Sequence, residues 1–250
     1  MAVTIKSPRE IELMRKAGEI LAMVHEELAA ALHPGMSTMD IDRLGEKLIR
    51  SHGCIPSFKN YNGYPGSICV SVNDEVVHGI PSRHRILKEG DIVSLDAGLI
   101  YKGYHSDAAR THAVGKVSTE AQKLMDVTKQ SFFEGIKMAK EGQHLHDISR
   151  AIEEYVTPYG YGIVRDLVGH GIGTALHEDP QIPNYAQKRR GVRLQAGMTL
   201  AIEPMINAGT WQVRFLRDGW TVVTKDGSLS AHYENTILVT DGEPEILTLY

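Results

Sequence analysis

Asp96 and Glu203 are the two residues of this sequence whose placement most strongly suggests chemistry. Asp96 ends the apolar run of Leu87 to Ala97, L-K-E-G-D-I-V-S-L-D-A. Glu203 ends a second copy, L-Q-A-G-M-T-L-A-I-E-P, from Leu194 to Pro204. Leu87 matches Leu194, Gly90 matches Gly197 and Asp96 matches Glu203, each pair 107 residues apart (194−87, 197−90, 203−96). A carboxylate finishing a buried strand is costly unless a cation meets it. The same costly placement, twice at one offset, points to two halves facing a shared charged site.

Each copy has a second acid downstream. Ile92 to Ile100 and Tyr104 to Val114 read as a hairpin around Tyr101-Lys102-Gly103. A two-residue loop at Tyr101-Lys102 sets Asp96 directly opposite Asp107; a loop at Lys102-Gly103 makes them diagonal neighbours. In either register they share a face, with Cβ atoms about 4.5–8 Å apart. Met198 to Glu203 is the matching strand of the second half, and Glu234 lies in S-A-H-Y-E-N-T, 230–236. Placing Glu234 over Asp107 competes with placing Thr236 over Thr111. The two differ by two residues, which keeps the side chain on the same face. Four converging carboxylates would repel one another and hold protons. Two divalent cations would balance them charge for charge, and carboxylates bridging metals about 3.5–4 Å apart form a two-metal hydrolytic site.

Three of the 12 histidines have settings that suit such a site. His170 lies in V-G-H-G-I-G, where glycines let the backbone approach closely while the imidazole projects. His177 lies in L-H-E-D-P, which is not the zincin H-E-x-x-H because no second histidine follows. His78 lies in N-D-E-V-V-H-G-I-P, a turn-rich loop after a strand. Spacing alone leaves each of the three open between a site role and a packing role. His33, His52, His84, His144 and His146 fall at turns or helix ends, and His25 lies in a helical stripe as a packed histidine.

The elements that must position these groups also come in two copies. Ser7-Pro8-Arg9-Glu10 starts a helix with a capping box, which runs with Ile11, Met14, Gly18, Leu21, His25 and Leu28 on one stripe and stops at His33-Pro34-Gly35. A second helix follows Met39-Asp40 and closes at His52-Gly53. Thr119 to Ala139 and Asp147 to Val156 repeat the pair, with Gly35, Asp40, Ile41 and Arg43 matching Gly142, Asp147, Ile148 and Arg150 at the same offset of 107. Each half therefore reads helix, helix, strands. Two copies are too few for a solenoid, so the expectation is one domain, 1–250, of two pseudo-symmetric halves, about 7–115 and 118–245. Ser67 to Val72 alternates, with Ile68, Val70 and Val72 on one face and Cys69 on the small polar face. Cys69 reads as a buried small residue rather than a nucleophile.

Composition narrows the class. The 250 residues are 42% hydrophobic and 23% charged, an ordinary globular balance. A formal net charge of −4 gives no basic footprint for nucleic acid. Cys54 and Cys69 make neither a disulfide framework nor a zinc finger. No signal core opens the chain and no apolar run approaches the roughly 18 residues needed to span a bilayer, so the expected location is the cytoplasm.

These motifs together resemble type I methionine aminopeptidases. The resemblance is carried by N-D-E-V-V-H-G-I-P at 73–81, the Asp96/Asp107 pair, G-H-G-I-G at 169–173, H-E-D-P at 177–180, I-E-P at 202–204 and Glu234, and runs from Ser7 to Glu245. It implies an α+β pita-bread fold: a curved antiparallel sheet with two helix pairs on its outer face. It implies two divalent metal ions per chain, cobalt, manganese, iron or zinc, held by Asp96, Asp107, His170, Glu203 and Glu234, with Asp107 and Glu234 bridging. An oxygen-rich set with one imidazole suits all four metals. The implied reaction removes the N-terminal methionine of peptides and nascent chains with a metal-activated water. In it Glu203 carries the proton, His177 binds the scissile carbonyl and His78 sits near the scissile nitrogen. One metal would hold the free α-amine, which limits removal to the first residue. Tyr61, Tyr64, Cys69 and Trp220 are implied around the methionine side chain; without the resemblance, Tyr61–Gly66 is an aromatic, glycine-rich loop.

The short form is expected. Nothing precedes Ser7 as a domain, two cysteines build no zinc module, and only 26 residues separate His177 from Glu203. The protein is read as a monomer, and the sequence leaves docking on the ribosome open. The sequence departs from the family at Leu176, often aromatic there, and at Asn235, often histidine; both bear on fine specificity. Three rivals share parts of the pattern. A proline-directed peptidase usually carries an extra N-terminal domain, a non-enzymatic binding module would lose ligands, and a structural metal site would not leave two histidines unligated.

Overall fold

Period-two alternation in one strand sorts the molecule into two faces. In the computed structural model, which describes residues 3–249, strand Ile92–Tyr101 sends Val93, Leu95, Ala97 and Leu99 into a core shared with helices. Asp96 turns the other way, paired across the sheet with Cys69. The helix side of the sheet is thus apolar and the other side carries the acids.

Four helices cover the apolar side: α1 (Pro8–Ala31), α2 (Thr38–Ser51), α3 (Thr119–Ile136) and α4 (Leu145–Val156). Leu21, Val24 and Leu28 of α1 with Ile41 and Ile49 of α2 pack on the first half of the sheet. Leu124 and Phe132 of α3 with Ile148 and Ile152 of α4 pack on Leu200, Ile202 and Ile237 of the second. The capping box at α1 is present, its Glu10 carboxylate accepting 2.7 Å bonds from the N–H and hydroxyl of Ser7. Two helix starts lie earlier than the sequence suggests. Ser37 caps α2, its hydroxyl accepting from Asp40 N–H at 3.2 Å. His144 caps α4, its N–H donating 3.0 Å to Asp147. Asp40, expected just before its helix, and Asp147, expected as the first residue of its own, are each the third helical residue, reaching back to the cap.

Nine strands form the main sheet, all paired antiparallel. The path runs Ile55–Pro56, Ile92–Tyr101, Tyr104–Ala113, Glu234–Leu238, Thr199–Ile202, Gly169–Gly171, Glu178–Ile182; Cys69–Val72 and Glu245–Ile246 pair off it. Two three-stranded sheets complete the strands, and one of them, Val213–Phe215, Val222–Thr224 and Glu75–Val77, leads into His78.

The open register questions have definite answers. Tyr101 pairs with Tyr104, so the loop is Lys102-Gly103, with φ of 48° and 88°. That mirror-image turn suits the twist of a hairpin. Asp107 consequently faces Gly98, Asp96 faces Ala109, and the two acids are diagonal neighbours. A Cβ at Gly98 would lie 3.2 Å from Asp107 Oδ1 and 3.0 Å from Phe58 and Ser57, so the missing side chain makes room for the acid. In the second half Asn235 pairs with Ile202, and one step on, Glu203 comes opposite Glu234. Ala109, facing Asp96, is thus the counterpart of Glu234, and Thr111 that of Thr236. Placing Glu234 over Asp107 gives way to the alternative register.

Candidate active site

The first two acids reach the site from the long hairpin. The other two leave the shorter strands of the second half, Glu203 just past Ile202 and Glu234 at the start of its strand. His170 comes from Gly169–Gly171 next to Thr199–Ile202, pairing with Ala201. Its flanking glycines are required by close approach: a Cβ at Gly169 would meet Ala201 O at 2.4 Å, and one at Gly171 would meet Asp179 O at 2.2 Å. The His170 Nδ1–H donates to Gly171 O over 2.8 Å. Its Nε2 is left bare, 3.7 Å from Glu203 Oε1 and 4.0 Å from Asp107 Oδ2. An imidazole held this way presents a lone pair to a cation.

Electrostatics leave the cluster two states, carboxyls that hold protons or ionised ones met by positive charge. Burial pushes the Glu203 carboxyl up to about 8. It lifts Asp96 to about 7, with Glu203 adding repulsion. Asp107 and Glu234 rise well above the carboxylate range through burial and then the neighbouring acids. Asp96 Oδ1, Asp107 Oδ1 and Glu234 Oε1 are buried with no hydrogen-bond partner. Ligand atoms of Asp107, His170 and Glu234 lie within 4.8 Å of one another. Orphaned carboxylate oxygens facing a bare imidazole nitrogen fit hard or borderline divalent cations.

Every candidate site residue lines one cavity of about 250 Å³. His78 reaches it from a backbone of φ 58°, an uncommon conformation for a side chain of its size. Burial lowers its pKa to about 4. Gly79 follows because a Cβ there would lie 2.3 Å from Val70 O. His177 lies against His170, ring centroids 4.3 Å apart, and its Nδ1 is 2.8 Å from the Tyr61 hydroxyl. The Tyr64 hydroxyl donates 2.8 Å to Gly79 O while its ring meets Trp220 edge-on at 5.1 Å. Cys69 is buried, its thiol pushed up by burial and then by Asp96, which keeps it protonated and apolar.

Sequence reasoning missed three neighbours. Phe58 and Asn62 line the cavity, from a loop with no periodic signal. His232 is 1% exposed and sits 3.6 Å from Glu203 Oε2. Its signal was alternation, two residues before Glu234 on the same face. The Asn235 side chain, by contrast, points away from the cavity: its Oδ1 accepts from Arg110, 2.5 Å, and Thr248, 2.9 Å, on the helix side.

The model of metallopeptidase family M24 matches residues 12–241. This chain belongs to that family. A protein named methionine aminopeptidase from Clostridium acetobutylicum is 56% identical over 99% of both chains. The crystal structure of a methionine aminopeptidase from Thermotoga maritima superposes with a TM-score of 0.97 at 47% identity, covering 100% of both chains. An Xaa-Pro dipeptidase from Bacillus anthracis is more distant, with a TM-score of 0.79 at 27% identity over 98% of this chain and only 61% of its own. The architecture is thus the M24 pita-bread fold, and divalent metal use comes with membership of a metallopeptidase family.

Proposed function

We propose that this M24 chain is a methionyl aminopeptidase, removing the N-terminal methionine of peptides and nascent chains by hydrolysis. One juxtaposition supports the reading. The acid cluster shares a cavity of about 250 Å³ with Phe58, Tyr64, Cys69, Leu176 and Trp220, a lining and size suited to one unbranched, polarisable side chain. Asp96, Asp107, His170, Glu203 and Glu234 would hold two divalent cations; cobalt, manganese, iron and zinc all suit the donors. When bound, the cations would supply Lewis acidity that lowers the pKa of a water towards about 7.

The chain's own groups do the rest. Glu203 accepts the proton and returns it to the departing amine, a role that fits its raised pKa. With the Tyr61 hydroxyl donating to Nδ1, His177 carries its proton on Nε2 and can donate it as a hydrogen bond to the carbonyl oxygen as that oxygen becomes anionic. Burial keeps His177 below the usual range and therefore neutral. His78, also neutral, takes the scissile nitrogen. Leu176, 2% exposed, stands where an aromatic ring is common in the family and leaves that wall of the pocket wider. The reading includes one domain of two halves, about 7–115 and 118–245, acting as a cytoplasmic monomer that docks at the ribosome. No described helix is long and apolar enough to cross a membrane.

The deciding experiment is mass spectrometry of Met-Ala-Ser and Ala-Pro-Ser incubated with metal-stripped protein and with protein reloaded with manganese or cobalt. Methionine release from the first peptide alone, and only after reloading, is the expected result. Cleavage of Ala-Pro-Ser instead would move the protein to the proline-directed branch of the fold.

A further inference from the structure

The two halves of the sheet meet where Ala109 pairs with Glu234, and that pairing relates their residues one by one. Asp96 corresponds to Glu203, Ala109 to Glu234 and Thr111 to Thr236; by the same offset Asp107 corresponds to His232. The first half thus offers an acid at the position where the second offers an imidazole, on the same face of the sheet. His232 is also the backbone partner of the first half: its N–H donates 2.8 Å to the Thr111 hydroxyl, which donates 2.9 Å to His232 O. The ring is held at the seam between the halves.

Among the described residues no group satisfies that ring. Both of its nitrogens are buried without a hydrogen-bond partner, a costly arrangement for a polar group. Glu203 Oε2 lies 3.6 Å from Nε2, with the Asp96 carboxylate also acting on the ring, while Glu203 Oε1 faces His170 Nε2 at 3.7 Å. Glu203 therefore sits between two imidazoles, one to each oxygen. His170 has a fixed tautomer with its bare nitrogen inward. His232 has no such constraint and is free to carry its proton on Nε2. Catalytic contacts of this kind are commonly long in unliganded sites and shorten when the site is filled.

We propose that His232 is a positioning residue: neutral, protonated on Nε2, it donates to Glu203 Oε2 and holds that carboxylate in the orientation in which it both ligates and carries the proton. The inference rests on the reading of Glu203 as ligand and proton carrier. Partners of this kind, one step removed from a metal, typically contribute 10–100-fold in metal affinity or activity. Glutamine can make the same donation from its amide nitrogen, whereas alanine cannot.

The test uses the full chain with His232→Ala, His232→Gln and, as a control, Glu203→Gln. Manganese binding to each metal-stripped protein is measured by titration calorimetry, and kcat and KM for Met-Ala-Ser are measured after reloading. His232→Ala is expected to weaken manganese binding by about 10-fold or more and to lower kcat by about 10–100-fold with KM within about twofold. His232→Gln is expected to recover both to within about threefold of the parent. Parent-like binding and turnover in His232→Ala would overturn the proposal. So would equal losses in both variants accompanied by equal drops in melting temperature, since that pattern is packing. Full activity in Glu203→Gln would instead sink the underlying assignment of Glu203, whatever the His232 variants do.

Discussion

In the proposed reaction Glu203 is the residue on which the chemistry turns, because it is buried and lies among other carboxyls. Replacing it with glutamine removes the proton acceptor and keeps the shape. Glu203→Gln should lower kcat for Met-Ala-Ser by at least about 100-fold, while circular dichroism and the melting temperature show a retained fold; a loss below threefold would argue against a proton-carrying role. In the same reading Tyr61 acts one step further out, donating to His177 Nδ1 and so setting its tautomer. Removing its hydroxyl costs one hydrogen bond of about 1 kcal/mol, so Tyr61→Phe should reduce kcat/KM about fivefold, read from initial rates. Among single residues, the ligand candidates were legible because motifs and an exact repeat marked them. His232 was not. Alternation sets it on the face of Glu234, but the repeat places an aspartate, not a histidine, at the matching position, so nothing in the pattern marked it as a site residue.

At the scale of elements, helix α1 shows how packing overrules propensity. Alanine in the middle of a helix is ordinarily about 1 kcal/mol better than glycine. At Gly18, however, a Cβ would lie 2.1 Å from Leu247 O, a backbone atom that cannot swing aside. Overpacking of this kind costs about 1–3 kcal/mol or more, so the clash wins. Gly18→Ala should destabilise the protein by about 1–2 kcal/mol in urea unfolding, against the stabilisation that helix propensity alone predicts. The helices themselves were readable from stripes and stop signals. Their first turns were not, because Ser37 and His144 look like loop residues until the acid three positions on folds back to them. The hairpin was readable, but its register was not. Tyr101-Lys102 and Lys102-Gly103 are both possible two-residue loops, and the positive φ at Lys102 followed by Gly103 selects the second.

At the scale of the whole molecule, buried ionisable groups set opposing pH limbs for the metal-free protein. The site carboxyls have folded pKa values above their unfolded ones, to about 7 at Asp96 and about 8 at Glu203. The folded state then binds more protons than the unfolded state, so stability falls as pH rises from about 4 towards about 8. The buried histidines work the other way. Burial lowers His78, His112 and His232 to about 4, so their contribution is present above about 6.5 and is lost as pH falls towards about 4. Divalent cations relieve only the alkaline limb, because they favour ionised carboxylates. Differential scanning fluorimetry of stripped protein should show the melting temperature falling between pH 6 and pH 8.5, and manganese should raise it more at pH 8.5. An equal rise at both values would show that the carboxyls do not titrate in that window.

By itself the sequence determined the repeat at an offset of 107, the strands that end on acids, the histidines set among glycines and the shared face of each acid pair. These are properties of period, spacing and side-chain chemistry along the chain, and they survive any two-residue slip because the strand period is two. Only the tertiary structure decided which residues face which. It set Glu203 opposite Glu234, made Asp96 and Asp107 diagonal, turned Asn235 away from the cavity and brought His232 beside Glu203. Those outcomes depend on the dihedral angles of one turn and on contacts between strands separated by 29 (232−203) to 125 residues in the chain, which local pattern does not encode.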